Sequence, residues 1–188
     1  MTQRVLVPMA DGTEEMEAVI IIDVLRRAGA EVTVASVGEL VVTASRGVKL
    51  VADLKIEACR DEVYDMIVLP GGIPGAEHLR DSAALTGLLT RQREAGRWYG
   101  AICAAPAVVL AHHGLLGPEK ATCHPAFTEL LPDAGRAHER VLVTGRCVTS
   151  QGAGTALEFA LKLVELLFDR KVAESVAAAM VAAAPAEP

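Results

Sequence analysis

Aromatic side chains are scarce in this chain: one Trp, two Tyr and three Phe make up 3% of its 188 residues, while apolar residues reach 52%. Stacked rings therefore cannot build the interior. Ala, Val, Leu and Ile must do so, which suits α/β layers with buried parallel strands. No stretch reaches the about twenty apolar residues that a bilayer crossing needs, since the most apolar, Trp98 to Ala111, is broken by Gly100 and Pro106. Basic runs are also missing. The formal charge of -6 argues against an electrostatic nucleic-acid surface, so no stable nucleic-acid complex is expected. The start, Met1-Thr2-Gln3-Arg4-Val5, lacks the apolar stretch and cleavage site of a secretory signal. A cytoplasmic protein without membrane association is expected.

No Pro/Ser-rich linker, repeat or low-complexity block divides the chain, so one domain over residues 1–188 is expected, with a frayed tail at 183–188. Cys59, Cys103, Cys123 and Cys147 lack the spacing of a disulfide framework and read as free thiols. Nor do Cys123, His124, His112 and His113 read as a metal site. There is no Cys-x-x-Cys pair, and the adjacent histidines point in different directions on a helix.

Strand and helix patterns alternate. Arg4 to Pro8 reads as a first strand, Asp11-Gly12-Thr13 as a turn with Thr13 capping a helix that begins near Glu14, and Gly29 as its stop. Ala30 to Val37 is a second strand, Leu40 to Lys49 holds short strand-like pieces, and Met66 to Leu69 is a central strand. Next come a helix from about Ser82 to Ala95, strand-like Trp98 to Ile102, helix-like Ala104 to Ala111 and a strand around Ala121 to Cys123. Paired strands at Arg140 to Thr144 and Cys147 to Ser150 precede helices at Thr155 to Phe168 and Val172 to Ala184. Such alternation predicts an open, doubly wound sheet with helices on both faces and a ligand crevice at the carboxyl ends of the strands.

Two strand ends would meet at that edge. Val68-Leu69-Pro70-Gly71-Gly72 and Gly100-Ala101-Ile102-Cys103-Ala104-Ala105-Pro106 each run from an apolar strand into a small-residue turn. This layout predicts a nucleophile elbow at Cys103, with the helix dipole lowering the thiol pKa. The same pattern also fits an inert buried cysteine. Glu14 and Glu17 share a helix face, and an inward Glu17 would have a raised pKa that lets it donate a hydrogen bond to a thiolate. Solvated glutamates at a helix start are equally consistent. His124, in Thr122-Cys123-His124-Pro125, is the candidate proton shuttle or else a loop histidine, while His112-His113 reads as a favourable helix C-terminal charge.

Together, Gly12-Thr13-Glu14-Glu15-Met16-Glu17, Ser45-Arg46-Gly47-Val48, Val68 to Gly72, Ala101 to Pro106 and Thr149-Ser150-Gln151-Gly152-Ala153-Gly154-Thr155 resemble the ThiJ/PfpI superfamily. The resemblance runs from Arg4 to about Met180. It implies a flavodoxin-like sandwich, a homodimer through the first helix and no cofactor. It also implies Cys103 as an easily oxidised nucleophile and Glu17 as its protonated partner. The N–H groups of Gly72 and Ala104 would form the oxyanion pocket, with His124 nearby and Glu14 and Arg46 around the pocket and dimer contact.

The activity implied is cofactor-free conversion of methylglyoxal or glyoxal to the hydroxy acid, and release of the same adducts from glycated proteins or nucleotides. The rival is a redox-responsive chaperone or sensor that uses Cys103 oxidation without turnover. Ala104 stands where proteolytic and larger glyoxalase members of the superfamily tend to carry His, which removes an adjacent Cys-His pair and argues against proteolysis. Pro8 within the first strand and Ala153 in the Gly-x-Gly-Thr turn are further departures.

Overall fold

Along the first strand, β1 (Arg4–Met9), Val5 and Val7 face one apolar layer while Leu6 faces the other, the period-two pattern of a strand buried on both sides. The computed structural model describes residues 2–116 and 120–183. Its main sheet also contains β2 (Glu31–Ser36), while β3 (Val41–Thr43) and β4 (Lys49–Val51) form a separate antiparallel hairpin. The sheet continues with β5 (Leu54–Lys55), β6 (Met66–Leu69), β7 (Trp98–Ile102), β8 (Val141–Thr144) and β9 (Cys147–Ser150).

The seven strands lie in the order β5-β2-β1-β6-β7-β9-β8, all parallel except β8 against β9. Helices α1 (Glu15–Arg27), α4 (Ala156–Leu167) and α5 (Arg170–Ala179) cover one face through Ile21, Leu25, Phe159 and Leu163. The opposite face is covered by α2 (Gly75–Asp81) and α3 (Ala83–Glu94) through Leu79, Leu85 and Leu89. This is a flavodoxin-like α/β sandwich. The order reverses between β1 and β6, so the crevice of the switch point opens beyond their carboxyl ends, beside the end of β7.

Pro8 disturbs little. Met9 and Gln3 turn their carbonyls toward β2, whereas Arg4 turns its carbonyl toward the β6 side. By strand alternation the donor that Pro8 lacks would face β6, where pairing runs through Val5 and Leu6 and has already ended.

Four local expectations need correction. Thr13 does not cap α1: its hydroxyl accepts from the Ala10 N–H at 3.0 Å, and Glu14 is the N-cap, accepting from the Glu17 N–H at 2.8 Å. Ala121 to Cys123 is buried but not a ladder strand, because the Thr122 N–H donates to the Thr149 hydroxyl at 3.0 Å instead. Ala104 to Ala111 is not a regular α-helix; Pro106–Ala111 is π-helical. The last helix spans Arg170–Ala179 and ends before Val181, which adopts a left-handed φ of 57°. Residues 184–188, including most of the expected frayed tail, lie outside the described residues.

Candidate active site

Cys103 occupies the sharp turn after β7 with a φ of 64°, a left-handed conformation that costs a non-glycine residue about 1–3 kcal/mol. Both of its backbone groups are held there. Its N–H donates to the Ser150 carbonyl at 3.0 Å, and its carbonyl accepts from the His124 N–H at 2.8 Å. The thiol is only partly buried, while Ala104 and Ile102 on either side are buried. The backbone N–H groups of Gly72 and Ala104 both lie close enough to the sulfur to favour its thiolate form.

Close approach of the two turns requires glycine. A Cβ on Gly71 would lie 2.6 Å from the Cys103 Cβ, and one on Gly72 would lie 2.4 Å from both the Glu14 nitrogen and the Gly12 oxygen. Gly72 also has a φ of 89°, so backbone strain adds to a collision with atoms that cannot move aside. Gly72→Ala is expected to cost about 3 kcal/mol or more and to lower the thermal midpoint by roughly 6–12 °C, read by circular dichroism. An unchanged midpoint would mean that the turn relaxes freely.

Glu17 is fully buried on the first turn of α1. Its Oε2 accepts from the Gly71 N–H at 2.8 Å, while Oε1 makes no well-formed hydrogen bond although the carboxyl interacts with the Cys103 thiol. The Glu14 N–H donates to the Gly71 carbonyl at 2.9 Å, so the start of α1 is fastened to the turn after β6 from both sides.

Burial, helped by the Glu14 charge, pushes the Glu17 carboxyl up to about 7, against the opposing effects of the Gly71 N–H and the thiol. Burial and then the Glu17 charge push the Cys103 thiol up to about 12, although the Gly72 and Ala104 N–H groups pull it down. The expected lowering of the thiol pKa therefore does not hold while Glu17 is ionised. A short π-helical segment follows the elbow, and an adjacent carboxylate outweighs its dipole. The two groups are coupled, so the thiolate becomes accessible when the proton resides on Glu17.

The remaining candidates lie at different distances from this pair. His124 is tied to Cys103 through the backbone, but its side chain is exposed and its Nδ1 accepts from the Ala126 N–H at 3.2 Å. With neutral imidazole, that bond leaves the proton on Nε2. Glu14 supports Glu17 from the helix cap. Arg46 sits on the turn beside α1. Its side chain is exposed on the β3–β4 turn, and its backbone N–H donates to Glu15 at 2.8 and 3.1 Å rather than to the thiol pocket. Glu15 also accepts from Ser45 at 2.9 Å, so this turn packs against α1 outside the Cys103 pocket.

Sequence reasoning missed Gly71 as the donor to Glu17 and Ser150 as the acceptor that anchors the elbow. The double glycine was the available signal for the first, whereas nothing in the sequence pairs Ser150 with Cys103. Among the described residues, no group of three or more His, Cys, Asp or Glu side chains could hold a metal ion, and all four cysteines are free. Chemically, the site offers a thiol, two N–H donors for an oxyanion and a buried carboxyl with a pKa near neutrality.

The sequence matches the profile of the DJ-1/PfpI family over residues 3–166. It is 53% identical over 171 residues to protein DJ-1 homolog B of Arabidopsis thaliana, covering 90% of this chain and 39% of that protein. The chain thus spans less than half the length of the Arabidopsis relatives it matches, with 45% coverage of DJ-1 homolog A. Glutathione-independent glyoxalase DJR-1.2 of Caenorhabditis elegans is 37% identical, with 87% of each chain covered. The solved structure of oxidized Toxoplasma gondii DJ-1 superposes with a TM-score of 0.94 at 51% identity, covering 97% of this chain and 100% of the other.

Proposed function

Because the chain belongs to the DJ-1/PfpI family, we propose that it is a cofactor-free, cysteine-dependent glyoxalase and deglycase acting on methylglyoxal, glyoxal and their early adducts on proteins or nucleotides. The observation that carries this reading is a strained Cys103 whose sulfur meets two backbone N–H donors beside a buried carboxyl. The similarity to a protein named glyoxalase supports it.

The chemistry follows from the layout. Once its proton has passed to Glu17, Cys103 attacks the aldehyde carbon, and the N–H groups of Gly72 and Ala104 hold the oxyanion. Glu17 or His124 then moves a proton from that carbon to the adjacent ketone carbon through an enediol, which oxidises the first carbon and reduces the second. Water cleaves the resulting thioester, releasing lactate and returning the thiol. One water is consumed overall, and no external oxidant is needed. On a protein or nucleotide adduct, the Cys103 sulfur displaces the amine or thiol at the carbinol carbon, the released group takes up a proton, and the resulting hemithioacetal follows the same route with one water consumed.

The reading includes a cytoplasmic homodimer formed through α1. Met16 and Val19 are 55% and 46% exposed on that helix, and Val48 on the packed turn is 49% exposed. A second reading, a redox sensor or chaperone, is favoured by the partial exposure of Cys103, because the same two N–H donors suit a sulfinate.

Lactate formed from methylglyoxal under reducing, metal-free conditions separates the two readings. Many turnovers per protein, well above the rate of an equal concentration of a free thiol, are expected. No turnover beyond one equivalent, with Cys103 selectively oxidised when mild peroxide is added in a separate, reductant-free sample, would overturn the enzyme reading in favour of the sensor.

A further inference from the structure

A groove of about 400 Å³ lies beside the elbow, where the apolar Ile73, Ala107, Val108, Ala111, Phe127 and Leu130 share the lining with Glu77, Arg80 and His112. Three observations join it to the candidate site. Ile73 directly follows Gly72, whose N–H reaches the sulfur; Ala107 is four residues beyond Cys103; and the Phe127 ring lies 6.1 Å from that of His124. Large apolar groups are left open here, with Ile73 44% and Leu130 59% exposed. The floor is the π-helical segment Pro106–Ala111, a conformation that recurs at functional sites, and its Ala107 and Ala111 leave space for a ligand.

The methyl group of methylglyoxal would leave most of this groove empty. A cavity of about 150 Å³ lined by aliphatic and aromatic side chains is enough for a benzene ring. We propose that the groove is a subsite for the apolar substituent of a 2-oxoaldehyde, so that arylglyoxals are better substrates than methylglyoxal. This proposal rests on the assignment of Cys103 as nucleophile. The carbonyl pair stays over the sulfur between the Gly72 and Ala104 donors, while the substituent extends past Ile73 and Ala107 toward Phe127. The balance is that of the smaller substrate: phenylglyoxal plus one water gives mandelic acid, with the aldehyde carbon oxidised and the ketone carbon reduced.

Two measurements test the proposal. In steady state, phenylglyoxal should have a kcat/KM at least about ten-fold above that of methylglyoxal, because burying the ring removes apolar surface from water. Ala111→Phe, which fills the groove, should bring the ratio close to one, mainly through the KM for phenylglyoxal. Leu130→Glu, at an exposed position that tolerates charge, should lower it in the same direction if the larger variant fails to fold.

Independently of turnover, mandelate added to Cys103→Ser protein should shift the amide NMR signals of Val108, Ala111 and Phe127, whereas lactate should not. Mandelate that leaves those signals in place, or a substrate ratio unaffected by either groove variant, overturns the subsite. If neither aldehyde is turned over while mandelate shifts the groove signals, the enzyme reading fails and the binding groove stands.

Discussion

Cys103→Ser is expected to reduce lactate formation from methylglyoxal by at least about a thousand-fold while leaving the fold intact. Serine keeps the shape of the elbow and the bonds to Ser150 and His124. What it loses is an ionisable, polarisable sulfur, because a hydroxyl beside a carboxyl of pKa about 7 gives up no comparable share of its proton. Product analysis reads the rate, and circular dichroism reads the fold. Turnover near the wild-type rate in the folded variant would remove Cys103 from the nucleophile's role. Cys103→Gly should also be inactive but more stable by about 1 kcal/mol, since glycine relieves the φ of 64°.

Glu17→Gln should lower kcat/KM by about a hundred-fold or more, because an amide cannot carry the exchangeable proton. Its effect on stability has a distinct pH signature. Burial raises the folded pKa of Glu17 from 4.5 to about 7, so between those values the folded protein holds a proton that the unfolded chain has released. The Glu17 contribution to stability is therefore fully present below pH 4.5 and lost as pH rises through 7, a decline of about 3 kcal/mol. The Gln variant lacks this titration. Urea unfolding from pH 4 to pH 8 should show wild-type stability falling relative to the variant across that window. Parallel profiles would mean that Glu17 titrates normally and would remove the basis for its exchange with the thiol.

Most of the scaffold was legible because it depends on long periodic runs with strong punctuation. Met66 to Leu69 ends at Pro70-Gly71-Gly72, and the helix beginning after Ser82 stops at Ala95, where the structure places both elements. Short and contested segments were harder to read. The helix Gly75–Asp81 follows two glycines and a proline that read only as a turn, yet its close fit to Gly12 and Thr13 holds it in place. Ala121 to Cys123 has strand-like residues, but a side-chain hydroxyl takes the Thr122 donor that a neighbouring strand would otherwise use.

At the site, local signals placed Cys103 at a turn after a strand and Glu17 within a helix. Their relative protonation depends on a contact across 86 residues of chain and on the Gly71 N–H, neither of which a spacing pattern encodes. For Arg46 the motif does not say which group makes the contact within the chain: it is the backbone N–H that reaches Glu15, while the guanidinium is exposed.

The two outer strands of the main sheet have a consequence for self-association under stress. At one border, β5 has only two residues and includes Lys55, which makes an ion pair with Glu39; at the other, β8 is a four-residue antiparallel hairpin arm. Neither border presents a long, flat row of backbone groups that could template a foreign strand. Fibrillar growth of the folded protein through these borders is thus disfavoured, and the aggregation-prone species is one in which β6 or β7, apolar strands enclosed in the native sheet, has been exposed by opening.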